Sequence, residues 1–135
     1  MVRHTAIGNA SLAARRGFTL VELLVVLAII ATLLLIAAPR YFHSVERSKE
    51  AVLRQDLSVM REAIDKYYAD LARYPETLAE LVERRYLRSI PLDPETKSRE
   101  TWVAILSEDP DAPGMRDVRS GAPGAAGDGT EFANW

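Results

Sequence analysis

The sequence predicts an α+β protein in which one long N-terminal α-helix packs on a small antiparallel sheet of two or three strands. Three observations predict this fold class. Residues 18–38 (FTLVELLVVLAIIATLLLIAA) are almost entirely apolar, and Glu22 is the one charged residue among them. Apolar residues then recur at steps of three and four between residues 53 and 71, which is the period of a helix. The apolar run at 102–106 (WVAIL) is the best strand candidate.

The apolar run is long enough to cross a membrane. As a helix rising about 1.5 Å per residue it spans ~32 Å, close to the ~30 Å hydrocarbon core of a bilayer. Three arginines and no acid precede it, at positions 3, 15 and 16. Because basic residues ahead of an apolar segment stay in the cytoplasm, we expect residue 1 inside and the bulk of the chain across the membrane.

The charge balance separates the two ends of the chain. The formal charge is −2, and removal of residues 1–17 with their three arginines takes it to −5. This balance excludes a strongly basic nucleic-acid binder. The chain holds no cysteine, so disulfides and thiolate metal sites are excluded as well.

Three interpretations compete for the apolar run. A secretory signal peptide has an apolar core of roughly 7–15 residues, which is shorter than this run, and carries no carboxylate in it. A plain single-pass anchor leaves Glu22 unexplained, because a charge inside a bilayer costs roughly 2.5–3.5 kcal/mol or more. The third interpretation accounts for Gly17, Phe18 and Glu22 together.

The words RRGFTLVELLVVLAIIATLL resemble the leader and stem of type IV prepilins and type II secretion pseudopilins. This resemblance implies a pilin-like fold, cleavage by a prepilin peptidase between Gly17 and Phe18, and methylation of the new Phe18 amine. It also implies three parts. Residues 1–17 are a cleaved leader, residues 18–38 a transmembrane and filament-core helix, and residues 39–135 the amphipathic half of the helix with a small periplasmic domain.

Glu22 has two candidate partners. The amine freed at Phe18 has a pKa of roughly 7.7–8.0 and is mainly protonated near neutrality. Phe18 and Glu22 are one helical turn apart, so the carboxylate can meet the amine of its own chain. In the family the favoured partner is the amine of the neighbouring subunit, which gives both residues a role in assembly. The sequence alone leaves both partners open.

The second half of the chain predicts the small domain. Pro39 lacks an N–H and is expected to kink the helix, which continues to about residue 72 and ends before Pro75. A short helix is expected at 77–84, with Leu78, Leu81 and Val82 inward, and a second strand at 115–119. Phe132 and Trp135 are expected to fold the tail back on the domain. The predicted buried stripe of the long helix consists of Leu53, Leu57, Met60, Ile64, Tyr67 and Leu71.

Further words narrow the resemblance to the major pseudopilin. RYP at 73–75 and IPLDP at 90–94 are similar to its motifs after the long helix. Residues 120–130, rich in Gly, Ala and Pro, must form a loop. The resemblance implies a calcium site there, since Asp128 and Gly129 resemble the Asp-Gly pair of the family's calcium loop. Asp117 and Ser120 could contribute further oxygens to an ion that takes 6–8 of them. A metal-free turn is the alternative, and no other cofactor is expected.

The function that the resemblance implies is structural. We expect a subunit of a type II secretion pseudopilus that helps to export folded proteins across the outer membrane. The alternative is a type IV pilin of a surface fibre, and only a DNA-uptake pilin would meet nucleic acid. A membrane-anchored periplasmic enzyme is a third class, but no motif supplies a catalytic residue.

The resemblance also implies where the chain works and with what. We expect it in the bacterial inner membrane with its N-terminus in the cytoplasm and its C-terminal domain in the periplasm, and later in a periplasmic filament. The implied partners are further copies of this chain, minor pseudopilins, the prepilin peptidase, an inner-membrane assembly platform and membrane lipid.

Overall fold

A computed structural model describes residues 17–135. The elements follow in the order α1 (Leu20–Leu71), α2 (Leu78–Glu83), β1 (Trp102–Leu106), β2 (Met115–Ser120) and a 3-10 turn at Phe132–Asn134. Contacts along the chain separate two units, and the division falls after Pro39. We call residues 17–39 the stem and residues 40–135 the C-terminal unit. The long helix and the two strands confirm the predicted α+β class.

Helix α1 has the extent that the sequence predicts, within two residues at each end. Thr19 precedes it, and the Thr19 carbonyl accepts the first helical hydrogen bond from the Leu23 N–H at 3.1 Å. At the other end Ala72 has φ of +50°, a left-handed conformation that commonly follows a helix. Pro39 lies inside α1, and the kink expected there stays a prediction.

One face of α1 forms the centre of the core in the C-terminal unit. Five of the six predicted stripe residues are buried, and Ala63 joins them. The prediction for Leu71 is wrong, because its side chain is 38% exposed. Leu71 is the last residue of α1, and the chain leaves the helical conformation immediately after it. The buried residues are Leu53, Leu57, Met60, Ala63, Ile64 and Tyr67.

The two strands form an antiparallel pair in which β2 supplies the core. Trp102 lies opposite Ser120, and the register shifts between Ile105 and Leu106. Met115 and Val118 of β2 are almost fully buried, whereas Leu106 of β1 is 65% exposed. The uniformly apolar β1 is therefore the more exposed strand. The mixed sequence of β2 carries the packing.

The remaining segments close the core as predicted. Thr77 caps α2, since its hydroxyl oxygen accepts from the Glu80 N–H at 3.3 Å. Leu81 is fully buried beside α1, and Leu78 and Val82 are half-buried against the same cluster. Phe132 is buried and Trp135 packs on it, with ring centroids 5.2 Å apart, which confirms that the tail folds back.

Candidate functional site

The first turn of α1 is closed by a reciprocal pair of hydrogen bonds. The Glu22 N–H donates to the Thr19 hydroxyl oxygen at 3.2 Å, and the Thr19 N–H donates to Glu22 Oε2 over a longer 3.4 Å. This arrangement is a capping box, in which two helix-end donors find side-chain acceptors. The Glu22 carboxylate thus has a local role in the stem besides the assembly role that the sequence predicts.

Gly17 and Phe18 precede the capping box in open surroundings. Phe18 is 87% exposed. A Cβ placed on Gly17 would meet no atom of residues 17–135 within 4 Å, so packing among the described residues does not require glycine there. The predicted cleavage after Gly17 stays a prediction. The arginines at positions 15 and 16, and the rest of the predicted leader, lie outside the described residues.

The stem exposes a continuous apolar surface. Helix α1 contains a segment long and apolar enough to cross a membrane, and none of that segment is buried within the structure. At ~1.5–3 kcal/mol for burying each large apolar side chain, the fourteen on the stem amount to ~20–40 kcal/mol. Such a surface requires an apolar environment. The fourteen are Phe18, Leu20, Val21, Leu23, Leu24, Val25, Val26, Leu27, Ile29, Ile30, Leu33, Leu34, Leu35 and Ile36.

In the C-terminal unit, Asp128 lies in a ring of four side chains. Asp128 Oδ1 accepts from the Thr130 hydroxyl at 2.6 Å and from the Thr130 N–H at 3.0 Å. Asp128 Oδ2 accepts from Arg54 Nη2 at 3.3 Å. The Arg54 guanidinium lies 4.1 Å from the centre of the Trp135 ring, and Trp135 Nε1 donates to the Thr130 hydroxyl at 2.9 Å. We call Arg54, Asp128, Thr130 and Trp135 the C-terminal clamp.

The other two predicted calcium donors have partners of their own. Asp117 Oδ1 accepts from Arg61 Nε at 2.8 Å and from the Val118 N–H at 2.7 Å. The Ser120 hydroxyl donates to Asp93 Oδ2 at 2.8 Å, and both residues are buried.

No shared contact therefore joins the three residues proposed for calcium. In residues 17–135 no group of three or more His, Asp or Glu side chains is placed to hold a metal ion. With Arg54 on Asp128 and Arg61 on Asp117, the predicted donors do not fit one calcium ion in this arrangement. Calcium binding stays a prediction.

A carboxylate joins the end of α1 to α2. The Tyr67 hydroxyl donates to Glu80 Oε1, and Arg73 Nη2 approaches the same oxygen at 3.0 Å. The Glu76 N–H donates to Glu80 Oε2 at 2.8 Å, and Arg84 Nε lies 3.4 Å from Oε1. These donors, first the Tyr67 hydroxyl and then the Glu76 N–H, lower the pKa of Glu80 to about 2. The cluster is a structural joint between two helices.

The groove beside the clamp contains Asp128, whose carboxyl group is a poor general base near neutral pH. It has a volume of about 670 Å³ and is lined in part by Arg54, Arg61, Asp65 and Asp128. Both arginines are paired with aspartates. The two Thr130 hydrogen bonds, with a smaller contribution from Arg54, lower the pKa of Asp128. A carboxyl group with a lowered pKa is a poor proton acceptor near neutrality.

Two kinds of similarity connect this chain with known proteins. One is confined to the stem motif, and the other extends over most of the chain. The prokaryotic N-terminal methylation motif matches residues 12–38. The type II secretion system core protein G of Klebsiella pneumoniae is 30% identical over 141 aligned positions, which cover 90% of this chain and 94% of that protein. Its counterpart of the same name in Escherichia coli K12 is 28% identical, with 90% of this chain and 91% of that protein covered.

A pilin matches over a shorter stretch. The type IV major pilin protein PilA of Myxococcus xanthus is 35% identical over 66 positions, which cover 49% of this chain and 30% of PilA. No solved structure matches the chain significantly.

The exposed stem, the capped first turn and the small α+β unit define the class of pilin-like structural subunits. Within that class the similarity to core protein G extends over nearly the whole of both chains. This chain therefore belongs to the type II secretion system core protein G family, the major pseudopilins. Its apolar helix and methylation motif fit a membrane-anchored member of that family.

Proposed function

We propose that this chain is the structural subunit of a type II secretion pseudopilus, which polymerises through its apolar stem and helps to export folded proteins across the outer membrane. The observation that carries the proposal is the exposed apolar stem on a chain that aligns over 90% of its length with 94% of a core protein G.

In the proposed sequence of events, the subunit is first inserted into the inner membrane. The arginines before the stem keep the N-terminus in the cytoplasm, so that the C-terminal unit faces the periplasm. A prepilin peptidase cuts after Gly17 and methylates Phe18. The stem then exchanges lipid for the stems of neighbouring subunits, and this exchange has little hydrophobic driving force of its own. An assembly platform must therefore supply the work of extraction.

Glu22 directs the proposed docking. In the uncut chain its carboxylate makes one long hydrogen bond to the Thr19 N–H and is otherwise exposed in the first turn. A carboxylate accepts several hydrogen bonds at once, so Glu22 can keep this bond and still receive the Phe18 amine of a neighbouring subunit. Pairing the two charges lowers the cost of holding each of them in an apolar bundle. The carboxylate then sets the register between subunits.

A type IV pilus is the second candidate, and the match to PilA of Myxococcus xanthus favours it. That match covers about half of this chain, and the stem is common to both classes. Coverage beyond the stem favours core protein G. Neighbouring genes decide between the two: a secretin with a secretion ATPase and minor pseudopilins supports the pseudopilus, whereas a retraction ATPase with pilus proteins supports the pilin.

Processing is the first test of the proposal. We expect Gly17→Val to block cleavage, because the peptidase can no longer approach the bond, and the chain then keeps its 17-residue leader. The matched control is Gly8→Val, which adds the same side chain within the leader and leaves the cut intact. Size on a denaturing gel, with a prepilin peptidase co-expressed, reports the result. Cleavage of Gly17→Val to the size of the processed wild type would remove the prepilin interpretation.

A further inference from the structure

The C-terminal clamp closes a circuit of contacts between α1 and the last loop. From Trp135 the hydrogen bonds run through the Thr130 hydroxyl to Asp128, and from Asp128 to Arg54. Arg54 returns to Trp135 by stacking over its ring. Arg54 is the only one of the four on α1, and it lies 74 residues before Asp128. One helix side chain therefore fixes both the middle of the loop and the end of the tail.

A second contact from α1 supports the same loop. Glu50, one helical turn before Arg54, accepts a hydrogen bond from the Gly127 N–H at 2.7 Å. The loop turns immediately afterwards, where Gly129 adopts φ of +85° and its N–H donates to the Ala126 carbonyl at 2.9 Å. Residues of opposite charge on α1 thus hold the loop backbone and the loop carboxylate respectively.

Within the clamp, the Arg54 guanidinium occupies the role that a bound cation would have beside Asp128. A cation in this loop would neutralise Asp128 and fix the distance between the loop and α1. The guanidinium of Arg54 supplies a permanent positive charge and planar donors for a carboxylate, and its flat face also stacks on an aromatic ring. Both carboxylate oxygens of Asp128 already have partners, and Arg61 provides the same neutralisation for Asp117.

We infer that the C-terminal loop of this chain is held in place by Arg54 rather than by a divalent cation, so that its folding does not depend on calcium. The calcium loop that the family resemblance implied is replaced here by an internal guanidinium. The inference concerns the C-terminal unit alone and does not depend on polymerisation, so it can fail while the proposed function stands.

The experiment uses the processed chain, residues 18–135 with the stem retained, in detergent micelles. The chain has two tryptophans, and Trp102→Phe leaves Trp135 as the single reporter of the clamp. Trp135 emission, its quenching by acrylamide and the thermal midpoint are measured in excess calcium and in excess EGTA. A ligand that binds only the folded state raises the midpoint. We expect calcium and EGTA to give the same three values, and titration calorimetry to show no heat of calcium binding.

Variants test the arginine directly. We expect Arg54→Ala to shift Trp135 emission to longer wavelength and to increase quenching, because the ring loses its cover and Asp128 loses its partner on α1. Arg54→Lys keeps the charge but lacks the planar face. Its Trp135 emission and quenching should lie between those of the parent chain and those of Arg54→Ala. Lys66→Ala is the matched control: Lys66 pairs with Glu62 on the same helix and does not touch the clamp, so Trp135 should be unaffected.

Two results would overturn the inference. The first is a higher thermal midpoint or a measured binding heat with calcium in the otherwise unchanged chain, which would show that the loop does hold the ion. The second is Trp135 emission and quenching in Arg54→Ala equal to those of the parent, which would show that Arg54 does not hold the tail. Because the Arg54 side chain is 59% exposed, we expect the variant to fold, and far-ultraviolet circular dichroism verifies this.

Discussion

The stem and the C-terminal unit use the same helix in opposite ways. Leu27 in the stem is 53% exposed, whereas Leu57, thirty residues later on α1, is 2% exposed. The C-terminal unit finds partners for its apolar face in α2, β2 and the tail. The stem has no such partner among the described residues. Its apolar surface therefore needs contact with lipid or with other stems. The core therefore stabilises the single subunit, whereas the stem is the surface that we propose for assembly.

The largest expected effect on stability separates these two leucines. Leu57→Ala leaves a cavity in the core, and we expect it to lower the free energy of unfolding of the C-terminal unit by about 2–5 kcal/mol. Leu27→Ala, the same change on the same helix, should leave that free energy unchanged. Denaturant unfolding of the full chain in detergent, followed by tryptophan fluorescence, measures both. Equal losses from the two variants would contradict the division of roles.

The joint at Glu80 is expected to make the C-terminal unit sensitive to acid. The pKa of Glu80 is lowered from 4.5 to about 2 by its donors, so the carboxylate stabilises the folded state above pH 4.5. That stability is lost as the pH falls from 4.5 towards 2. Unfolding measured across this range should show the loss in the wild type and a smaller loss in Glu80→Gln.

The matched control for the pH experiment is Glu83→Gln. Glu83 lies on the same short helix and is exposed, and it forms no salt bridge with any of residues 17–135. The variant should keep the acid sensitivity of the wild type. If Glu80→Gln and Glu83→Gln reduced that sensitivity equally, Glu80 would have no special role in it.

The smallest expected effect concerns the surface of α1. Lys66 pairs with Glu62 at 2.9 Å, and both side chains are about two-thirds exposed. Such a pair contributes only about 0.2–0.5 kcal/mol, so Lys66→Ala should lower the free energy of unfolding by no more than that. High salt should remove the difference from the wild type. A loss that persisted in high salt would mean that Lys66 does more than pair on the surface.

The sequence predicted the parts of the fold that rest on local pattern. The apolar run and the three-four spacing predicted α1 because helix period and burial agree along it. The capping box was also visible, since Thr19 and Glu22 form a T-x-x-E word before an apolar run, but Glu22 was interpreted through its charge alone. Its local hydrogen bond gives Glu22 a second role, in the first turn of α1.

Contacts between residues far apart in the sequence could not be predicted from the local sequence pattern. Nothing near Arg54 indicates that it meets a residue 74 positions later, and nothing near Asp93 indicates that it receives the Ser120 hydroxyl. The predicted calcium donors were grouped through the family resemblance of their loop, whereas the structure gives them separate partners. The fully buried strand residues in the cluster with α1 come from β2, which the apolar sequence of β1 does not reveal.

The role of Glu22 is the centre of the account, and one change separates its charge from its hydrogen bond. Glu22→Gln retains a side chain that can complete the capping box with Thr19 but removes the negative charge. Thr19→Ala does the opposite, since it removes the capping hydroxyl and keeps the charge.

The decisive measurement is the amount of sedimentable polymer formed by each processed variant in cells that carry the secretion machinery. The account predicts that Glu22→Gln is inserted and cut normally but yields far less polymer than the wild type, whereas Thr19→Ala yields nearly as much. A wild-type yield of polymer from Glu22→Gln would contradict the proposal that the carboxylate docks with the amine of a neighbouring subunit.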